Sequence, residues 1–443
     1  MRKMAGLALM IGAALAAGCN SNNDSSAPAP GAKNVIFFLG DGMGLNTLTA
    51  ARIYGVGEEG SLTIDTLPET AFIKTFSHDA QVTDSAPSMS AYMTGVKSNN
   101  GVISMDSDAT QESNCSKSAG KPVTTLLELA KAAGRGTGVV TTTRVTHATP
   151  AATYAHLCNR DLEADIAAQL VPGGAGYNSA LKEGVDVVLG GGSSFFLPKA
   201  DKGKREDGRN LIDEMKAKGY QFAGNLDELN KAEAGKPLLG LFGSSHMKYD
   251  LDRPASEPSL TQMTLAAIKQ LKDQKQGYFL MVEGGRIDHA LHGTNAKRSL
   301  TDAVALDDAV KTALGKVDLE DTLIVVTADH DHTMTINGYS AKGNKVLDLV
   351  KNGDGSTQND VDGKPFTTLV FGNGPNRPDV RPTLTSDQVM ADDYLQETGV
   401  KLGSETHGGG DVMLFADGAG SSRFKGTLDN TKVFGKLKEA LGL

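Results

Sequence analysis

Apolar residues recur in short blocks along the chain, and stretches of mixed apolar and polar residues separate them. Several blocks are apolar at consecutive positions, which is typical of strands covered on both faces of a sheet. The blocks predicted as strands are 34–40, 136–143, 185–192, 278–284, 322–329, 366–372 and 411–418. Apolar residues at helical spacing predict helices over 122–133, 258–273, 297–314 and 430–441. This alternation predicts an α/β fold with a doubly wound, mostly parallel central sheet and helices on both faces.

The N-terminus departs from this pattern, because two basic residues precede an apolar run that ends in the letters LAAGC. Such a run predicts a signal peptide over residues 1–18 and is too short to cross a membrane. Its ending resembles a bacterial lipobox, which implies that Cys19 is acylated and anchors the exported protein to a membrane. An ordinary secretory signal with a chance cysteine is the alternative. Asn20 follows instead of the aspartate that resembles an inner-membrane retention signal, so we expect an outer-membrane lipoprotein, periplasmic or at the cell surface.

Residues 19–33 are polar and rich in Pro, Ala and Ser, which predicts a flexible tether. The fold then begins at Asn34. No internal repeat or second linker interrupts the remaining sequence, so we interpret 34–443 as one catalytic domain. Within it, the stretch 338–365 is rich in Gly, Asn, Asp and Lys and predicts a surface insertion, whose role the sequence leaves open.

The composition limits the classes of partner. An apolar content of 39% is enough to bury a core. The net charge of −9, without any block of Lys or Arg, argues against nucleic acid or an anionic lipid surface as a partner. An anionic substrate must then be attracted locally, most simply by metal ions. Export also permits a disulfide, which we predict between Cys115 and Cys158, although two buried thiols fit the sequence equally well.

Ser85 follows Asp84 and opens a run in which Ala86, Met89 and Met93 suit a helix. A serine at this point would place its hydroxyl oxygen at the positive end of the helix dipole, which favours an alkoxide and attracts anions. The alternative is that the serine only caps the helix, since Ser and Asp are common capping residues. Acids and histidines elsewhere in the chain favour a nucleophile.

Acidic residues fall where predicted strands end, at Asp41, Glu283 and Asp329. Ligands of open α/β sheets bind beyond the carboxyl ends of the strands. Carboxylates from separate strands would converge there, and their mutual repulsion requires cations. Asp41 and Glu283, together with a hydroxyl such as Thr149, would suit magnesium, which prefers oxygen ligands.

Histidines accompany the acids at spacings that suit zinc. Asp288 and His292 are four residues apart, close enough to reach one ion if the segment is helical. His330 directly follows Asp329 and offers a nitrogen beside an oxygen at a strand end. His407 lies just ahead of another predicted strand and is followed by glycines that let the backbone approach a site. Mixed His and Asp ligation favours zinc.

These residues lie in motifs that resemble the motif set of the alkaline phosphatases, in the same order. The motifs are LGDGMG (39–44), VTDSAPSMSAYMTG (82–95), HATPAATYAH (147–156), VEGGRIDHALH (282–292), VTADHDH (326–332) and ETHGGGDV (405–412). Two further stretches, 240–253 and 362–375, resemble the animal-type members. Because the motifs span nearly the whole mature chain, the resemblance implies the alkaline phosphatase fold and hydrolysis of phosphate monoesters.

The resemblance also implies two zinc ions and one magnesium ion. The first zinc would be held by Asp288, His292 and His407. The second would be held by Asp41, Asp329, His330 and the Ser85 oxygen. Magnesium would be held by Asp41, Thr149 and Glu283. Three divalent ions bring about +6 and the four carboxylates about −4, and the remaining charge of roughly +2 suits a dianionic phosphate.

Further residues take roles around these ligands by the same resemblance. Arg160 would clamp two phosphate oxygens with its planar guanidinium, and Asp84 would hold that guanidinium or simply cap a helix. His332 is interpreted as orienting a zinc carboxylate from behind, with a plain surface role as the alternative. His147 and His289 stand where bacterial members can carry Asp and Lys. They follow the animal-type pattern, which implies water-mediated roles beside magnesium and phosphate.

The implied mechanism is attack of the Ser85 alkoxide on phosphorus, followed by hydrolysis of the phosphoserine. The family implies a homodimer.

Arg144 lies near the same strand end as Arg160 and is the rival phosphate clamp. The alternative functions are a phosphodiesterase or sulfatase on the same fold, and an inactive lipoprotein that binds phosphate or metal. We expect a structural role for the other basic residues near these motifs, namely His78, His156, His246, Lys74, Lys97 and Arg144.

Overall fold

The computed structural model describes residues 31–443. The predicted signal peptide 1–18, the predicted anchor at Cys19 and most of the predicted tether 19–33 lie outside the described residues. The strands are β1 (Asn34–Gly40), β2 (Glu69–Lys74), β3 (Gly136–Arg144), β4 (Val187–Gly191), β5 (Gln221–Ala223), β6 (Leu238–Leu241), β7 (Tyr278–Gly284), β8 (Thr322–Ala328), β9 (Asp331–His332), β10 (Met334–Ile336), β11 (Leu369–Gly374), β12 (Thr398–Lys401), β13 (His407–Gly408), β14 (Val412–Gly418) and β15 (Gly426–Asp429).

The α-helices are α1 (Leu45–Val56), α2 (Ser85–Thr94), α3 (Leu126–Ala132), α4 (Ala148–Tyr154), α5 (Glu163–Ala168), α6 (Leu211–Ala217), α7 (Leu226–Asn230), α8 (Leu260–Leu271), α9 (Arg286–His292), α10 (Ala296–Leu314), α11 (Ser386–Val389) and α12 (Asn430–Ala440). Short 3-10 helices occupy Ile64–Thr66, Ser179–Leu181, Ser193–Phe195, Lys199–Asp201, Asp250–Asp252 and Ser421–Arg423. The helices predicted from apolar spacing correspond to α3, α8, α10 and α12.

The central sheet has ten strands in the order β15-β2-β14-β8-β1-β7-β3-β4-β6-β5. Each strand from β8 to β5 is parallel to its neighbours. The exception lies at β14, which is antiparallel to both β8 and β2. Two groups of helices pack with the sheet, α1, α8, α9 and α10 in one and α2, α3, α4 and α12 in the other. The predicted α/β fold with a mostly parallel sheet is therefore confirmed.

The central strands end together. Leu39 of β1 is paired with Glu283 of β7, and Gly40 is paired with Ala328 of β8. Every residue of β1, β7 and β8 is buried, which explains their continuous apolar sequences, since such strands have no solvent face. The carboxyl ends of these strands therefore form one rim.

The predicted strand 366–372 lies outside the central sheet. It corresponds to β11, which pairs with β10 and β12 in a separate three-stranded sheet. An apolar run identifies a strand but does not specify the sheet that it joins. Conversely, the apolar blocks do not predict β2, β5, β6 or β15. In β2, buried positions alternate with exposed ones toward its end, so its sequence lacks a continuous apolar run.

The predicted surface insertion 338–365 contains no helix or strand in the described structure. It is not wholly exposed, because residues 346–350 are buried. Leu349 packs with Leu384 and Val389 in a small apolar cluster. The insertion therefore folds back onto the protein.

Cys115 and Cys158 form a disulfide, as predicted. Across residues 31–443, no helix combines the length and the apolar composition that a membrane crossing requires.

Candidate active site

Three carboxylates meet at the rim where β1, β7 and β8 end. Asp41 follows β1, Glu283 is the penultimate residue of β7, and Asp329 follows β8. All three side chains are buried, and together they form the carboxylate-rich cluster. In the described structure one oxygen of each lacks a hydrogen-bond partner, namely Asp41 Oδ1, Glu283 Oε1 and Asp329 Oδ2. Because an unpaired buried charge is costly, this rim calls for cations or protons.

The pKa values of these acids show the same conflict. Burial, with the charge of Asp288 as the next cause, raises the pKa of Asp41 to about 7. Burial and then the charge of Asp41 raise the pKa of Asp329 to about 7. The same two causes raise the pKa of Glu283 well above its ordinary value. The acids therefore oppose one another's ionisation, and added positive charge would be needed to keep all of them ionised near neutral pH.

Ser85 is the first residue of α2, and Asp84 is the residue that caps this helix. Asp84 Oδ1 accepts a hydrogen bond from the backbone N–H of Ala86 at 2.6 Å. Asp84 therefore caps the helix, and the Ser85 hydroxyl is directed at the rim. Ser85 Oγ lies 3.3 Å from Nε2 of His330.

His330 lies between two acids of the carboxylate-rich cluster. Its Nδ1 is 3.2 Å from the carbonyl oxygen of Asp331, and because a carbonyl can only accept, Nδ1 carries the proton. The bare Nε2 then faces Asp41 Oδ1 at 3.3 Å and Asp329 Oδ2 at 3.4 Å. Burial lowers the pKa of His330, which favours its neutral form. A nitrogen lone pair and two carboxylate oxygens around one point form a donor set for a divalent cation.

Gly42 explains why a glycine follows the first of these acids. Its backbone N–H donates to Asp329 Oδ1 at 2.9 Å, and its φ of 67° lies in the left-handed region. A Cβ at this position would collide with the imidazole ring of His332. The tight turn therefore needs a residue without a side chain.

A second donor set lies at the end of α9. Nε2 of His292 and Nε2 of His407 are 3.1 Å apart, and they lie 3.2 Å and 3.5 Å from Asp288 Oδ1. On the far side of each ring, His292 Nδ1 faces the Glu405 carbonyl oxygen at 2.6 Å, and His407 Nδ1 faces the Thr83 carbonyl oxygen at 2.8 Å. Both Nδ1 atoms must donate, so the two Nε2 lone pairs face each other. A cation between them would remove this repulsion, in an arrangement typical of metal-ligating histidines.

His332 lies behind Asp288. Its Nε2 donates to Asp288 Oδ1 at 2.8 Å and its Nδ1 donates to Glu405 Oε2 at 2.6 Å. Burial would lower the pKa of His332, but these hydrogen bonds outweigh burial and raise it to about 10. His332 is close enough to the other three residues to be a fourth ligand. Since carboxylates occupy both of its nitrogens, His332 is better placed to position Asp288 than to bind a cation.

Asp288 consequently differs from the carboxylate-rich cluster. Burial would raise its pKa, but the three surrounding histidines, of which His332 donates a hydrogen bond, hold it well below the ordinary value. Asp288, His292, His332 and His407 together form the histidine-rich cluster.

A third donor set shares Asp41. Asp41, His147 and Glu283 each offer a ligand atom within 4.8 Å of the others, and Thr149 Oγ1 lies 3.5 Å from Asp41 Oδ2. His147 Nε2 faces Arg160 Nη2 at 3.1 Å. Because a guanidinium only donates, the proton of a neutral His147 must lie on Nδ1, which is buried without a partner. Burial, followed by the charge of Arg160, lowers the pKa of His147 well below its ordinary value. His147 therefore fits a water-mediated role better than direct ligation.

The two candidate phosphate clamps differ in how they are held. Arg144 forms a bidentate pair with Glu163, through Nε at 2.7 Å and Nη2 at 2.6 Å. Arg160 is held more loosely, because Nη1 lies 3.3 Å from Asp84 Oδ1 and Nη2 donates to His147. Asp84 thus both caps α2 and orients Arg160. With fewer of its N–H groups committed, Arg160 is the better candidate for binding two oxygens of a phosphate.

Glu405 belongs to the site although the sequence does not predict a role for it. Its carboxylate binds His332, and its carbonyl oxygen fixes the ring of His292. Thr143 is a comparable support, since its hydroxyl donates to Glu283 Oε2 at 3.3 Å. The available signal for Glu405 was its place two residues before His407 in one motif.

The sequence predicts a structural role for His246, yet the structure places it at the wall of the site. Its ring centre lies 4.2 Å from that of His289 and 5.3 Å from that of His147. No ligand-like spacing surrounds it in the sequence, so only the fold reveals this position. His156 is structural as predicted, because its Nε2 is paired with Glu128 at 2.7 Å.

Comparisons with known proteins agree with the motif resemblance. The family model described as alkaline phosphatase matches residues 32–443. The human tissue-nonspecific isozyme of alkaline phosphatase is 40% identical over 429 residues, which span 87% of this chain and 79% of that protein. A membrane-bound alkaline phosphatase of Bombyx mori is 39% identical over 445 residues, 91% of this chain and 78% of that protein. The crystal structure of Thermus thermophilus alkaline phosphatase has a TM-score of 0.71 and 28% identity, with 97% of this chain and 96% of that chain covered.

Proposed function

The chain belongs to the alkaline phosphatase family and hydrolyses phosphate monoesters, and we propose that it does so through a phosphoserine at Ser85 in a site for three divalent cations. The family is metal-dependent. The observation that carries the proposal is the position of Ser85 Oγ, 3.3 Å from a His330 nitrogen whose lone pair faces two buried carboxylates.

The donor sets suit two zinc ions and one magnesium ion. Zinc would be held by Asp288, His292 and His407. The second zinc would be held by Asp41, Asp329, His330 and Ser85. Magnesium would be held by Asp41, Thr149 and Glu283. Imidazole nitrogens with carboxylates fit zinc, whereas a set of oxygens fits magnesium. When bound, these cations would neutralise the carboxylates, lower the pKa of the serine hydroxyl and of water, and stabilise charge on the attacking and departing oxygens.

The protein's own residues would position and polarise the ester. Arg160 binds two phosphoryl oxygens with parallel N–H donors, while Asp84 and His147 fix its orientation. Ser85 Oγ then forms a bond to phosphorus as the ester P–O bond breaks and the alcohol leaves. The N-terminus of α2 favours negative charge on that oxygen. Water attacks the phosphoserine from the vacated side, which releases phosphate and restores Ser85.

The surrounding histidines would act through their neighbours. His332, which Glu405 holds in place, would position Asp288 as a ligand of the cation. His289 accepts a hydrogen bond from Arg286 at Nδ1, at 2.9 Å, so that its Nε2–H is available to donate toward phosphate or water.

Export and a lipid anchor at Cys19 remain part of the proposal. They are supported by the LAAGC sequence and by the membrane-bound relative from Bombyx mori. Metabolic labelling with palmitate should therefore be lost in Cys19→Ala. We also propose a homodimer, from the family resemblance, and a single catalytic domain over 34–443, which one apolar core from Ala32 to Leu441 supports.

Ser85→Ala tests the proposed function. We expect turnover of p-nitrophenyl phosphate to fall by about 10³-fold or more, because removal of a nucleophile leaves only binding and electrostatic catalysis. Acid-quenched protein incubated with radiolabelled phosphate should carry label in the wild type and none in this variant. Ser90→Ala, a buried serine of the same helix, is the control and should retain label. Wild-type turnover in Ser85→Ala would contradict the proposal.

Arg160 also argues against a phosphodiesterase, because a diester has one fewer free oxygen for the clamp. Wild-type protein should hydrolyse p-nitrophenyl phosphate far faster than bis(p-nitrophenyl) phosphate. The opposite preference would favour a diesterase.

A further inference from the structure

An open cavity of about 520 Å³ adjoins the proposed phosphate site. Its walls come from the loop after β6, from α9 and from the start of α10, and include Lys248, Tyr249, Arg286, His289, Asn295 and Arg298. His289 connects this cavity with the phosphate clamp. Its ring centre is 5.4 Å from that of His147, which accepts a hydrogen bond from Arg160. A group attached to a bound phosphate can therefore extend along His289 into the cavity.

Arg286 gives the cavity a positive charge that no carboxylate pairs with in the described structure. Its guanidinium stacks on Tyr249, with 3.9 Å between the central carbon and the ring centre. One N–H donates to His289 Nδ1 at 2.9 Å, and the buried Nε has no hydrogen-bond partner among residues 31–443. In a stacked guanidinium the N–H groups point away from the aromatic ring, and such groups are suited to bind carboxylate or phosphate oxygens.

The other two positively charged side chains of the cavity, Lys248 and Arg298, differ in how they are paired. Lys248 is exposed and has no carboxylate within salt-bridge distance in the described part of the chain. Arg298 is neutralised, because it binds Asp252 at 2.7 Å and Asp393 at 2.8 Å. Both oxygens of Asp252 face Arg298, so this acid opposes an anion only weakly. The unpaired positive charge of the cavity therefore comes from Lys248 and Arg286.

We propose that this cavity is a subsite for the alcohol part of the substrate, and that it selects phosphate monoesters whose alcohol carries a second anionic group. The proposal rests on the placement of the transferring phosphate beside Arg160. The protein as a whole has a net charge of −9 and repels such anions. A preference for a doubly anionic ester must therefore arise locally, where Lys248 and Arg286 lie.

The test compares phenyl phosphate with 4-carboxyphenyl phosphate, and the measured quantity is the ratio of their kcat/KM values. The ratio measured for each variant is divided by the wild-type ratio, which cancels the difference in leaving-group chemistry between the two esters. We expect Lys248→Gln to lower the preference for the carboxylated ester about threefold, as for one exposed ion pair. Arg286→Gln should lower it about tenfold, as for a lost charge-assisted hydrogen bond. Arg286→Lys, which keeps the charge, should retain most of the preference.

Lys272→Gln is the matched control, since it removes one exposed lysine between the end of α8 and the start of β7, away from the carboxyl ends of the strands, and should leave the ratio unchanged. If Arg286→Gln loses activity toward both esters, the charge-reversal variant Lys248→Glu tests the subsite instead. It should reduce the preference for the carboxylated ester more than Lys248→Gln does. An unchanged ratio in both Lys248 variants would overturn the subsite. Failure of the wild type to hydrolyse either ester would contradict the proposed function instead.

Discussion

The histidine-rich and the carboxylate-rich clusters meet the problem of buried charge differently. In the histidine-rich cluster, the surrounding imidazoles outweigh burial and keep the pKa of Asp288 well below its ordinary value. In the carboxylate-rich cluster, the acids face one another, and burial raises the pKa of Asp41 and of Asp329 to about 7. The protein's own histidines therefore keep Asp288 ionised, whereas the acids of the carboxylate-rich cluster need added positive charge to be fully ionised near neutral pH.

This difference matters because Ser85 lies beside the carboxylate-rich cluster, 3.3 Å from His330. A histidine lone pair and unprotonated carboxylates can surround the nucleophile only if cations compensate them. Catalysis should therefore be most sensitive to changes on this side. The histidine-rich side should respond in metal affinity, through the residues that hold its ligands in place.

Asp41→Asn tests the carboxylate-rich cluster most severely, because two donor sets share Asp41. We expect kcat to fall by about 10³-fold or more and about two cations per chain to be lost, because an amide supplies no charge to either set. Steady-state kinetics and metal content by inductively coupled plasma mass spectrometry are the measurements. Asp302→Asn is the control, a buried acid outside the three donor sets, and should keep its metals. Full metal content in Asp41→Asn would show that the shared ligand is misassigned.

Arg160→Ala tests the proposed phosphate clamp, which lies near the carboxylate-rich cluster. The inhibition constant of inorganic phosphate should rise by about tenfold to a hundredfold, because two charge-assisted hydrogen bonds are removed. Arg144→Ala should change it by less than about threefold, since Glu163 already neutralises Arg144. The reverse order of the two variants would make Arg144 the clamp.

Glu405→Gln tests the histidine-rich cluster, because Glu405 holds His332 in place. The variant keeps the shape of the side chain but removes the charge that holds His332, so Asp288 loses its fixed orientation. Zinc affinity, measured by competition with a chromophoric chelator, should weaken about tenfold, in line with other residues that support metal ligands. Glu397→Gln, which breaks an ion pair with Arg381 elsewhere, should leave it unchanged. Equal affinities in the two variants would remove the role of Glu405.

Asp302→Asn shows what burial does to an acid that lies outside the donor sets. Burial raises the pKa of Asp302 to about 8, so between pH 4 and 8 the folded protein holds a proton that the unfolded chain has released. Stability from this group is complete below the ordinary pKa and falls as the pH rises toward 8. The amide cannot ionise, so the free energy of unfolding of the variant should gain on the wild type between pH 5 and 8, as measured by urea titration. A difference that stays constant with pH would contradict this.

The sequence predicted much of the rim because its acids mark strand ends. Asp41, Glu283 and Asp329 each occur within or just after a continuously apolar run, and parallel strands bring such positions together. The four-residue spacing of Asp288 and His292 likewise predicted that both reach one point from α9. For Arg160, the motif resemblance rather than local spacing supplied the assignment.

What the sequence did not predict depends on long-range geometry. His246 reaches the wall of the site because its loop crosses the end of β3, and no local pattern encodes that approach. Glu405 acts through His332, and a positioning residue has no ligand spacing of its own. The run 366–372 is apolar like a central strand, yet it joins a separate sheet, since apolar content reports burial and not the identity of the neighbours.

Metal content measured together with activity tests the central claim most directly, namely that buried acids and bare imidazole nitrogens coexist at this rim because divalent cations lie among them. Protein loaded with zinc and magnesium and then desalted should contain about two zinc ions and one magnesium ion per chain. Chelation should abolish both metal and turnover, and readdition should restore them in proportion. Undiminished turnover in protein that retains less than one divalent cation per chain would contradict the account.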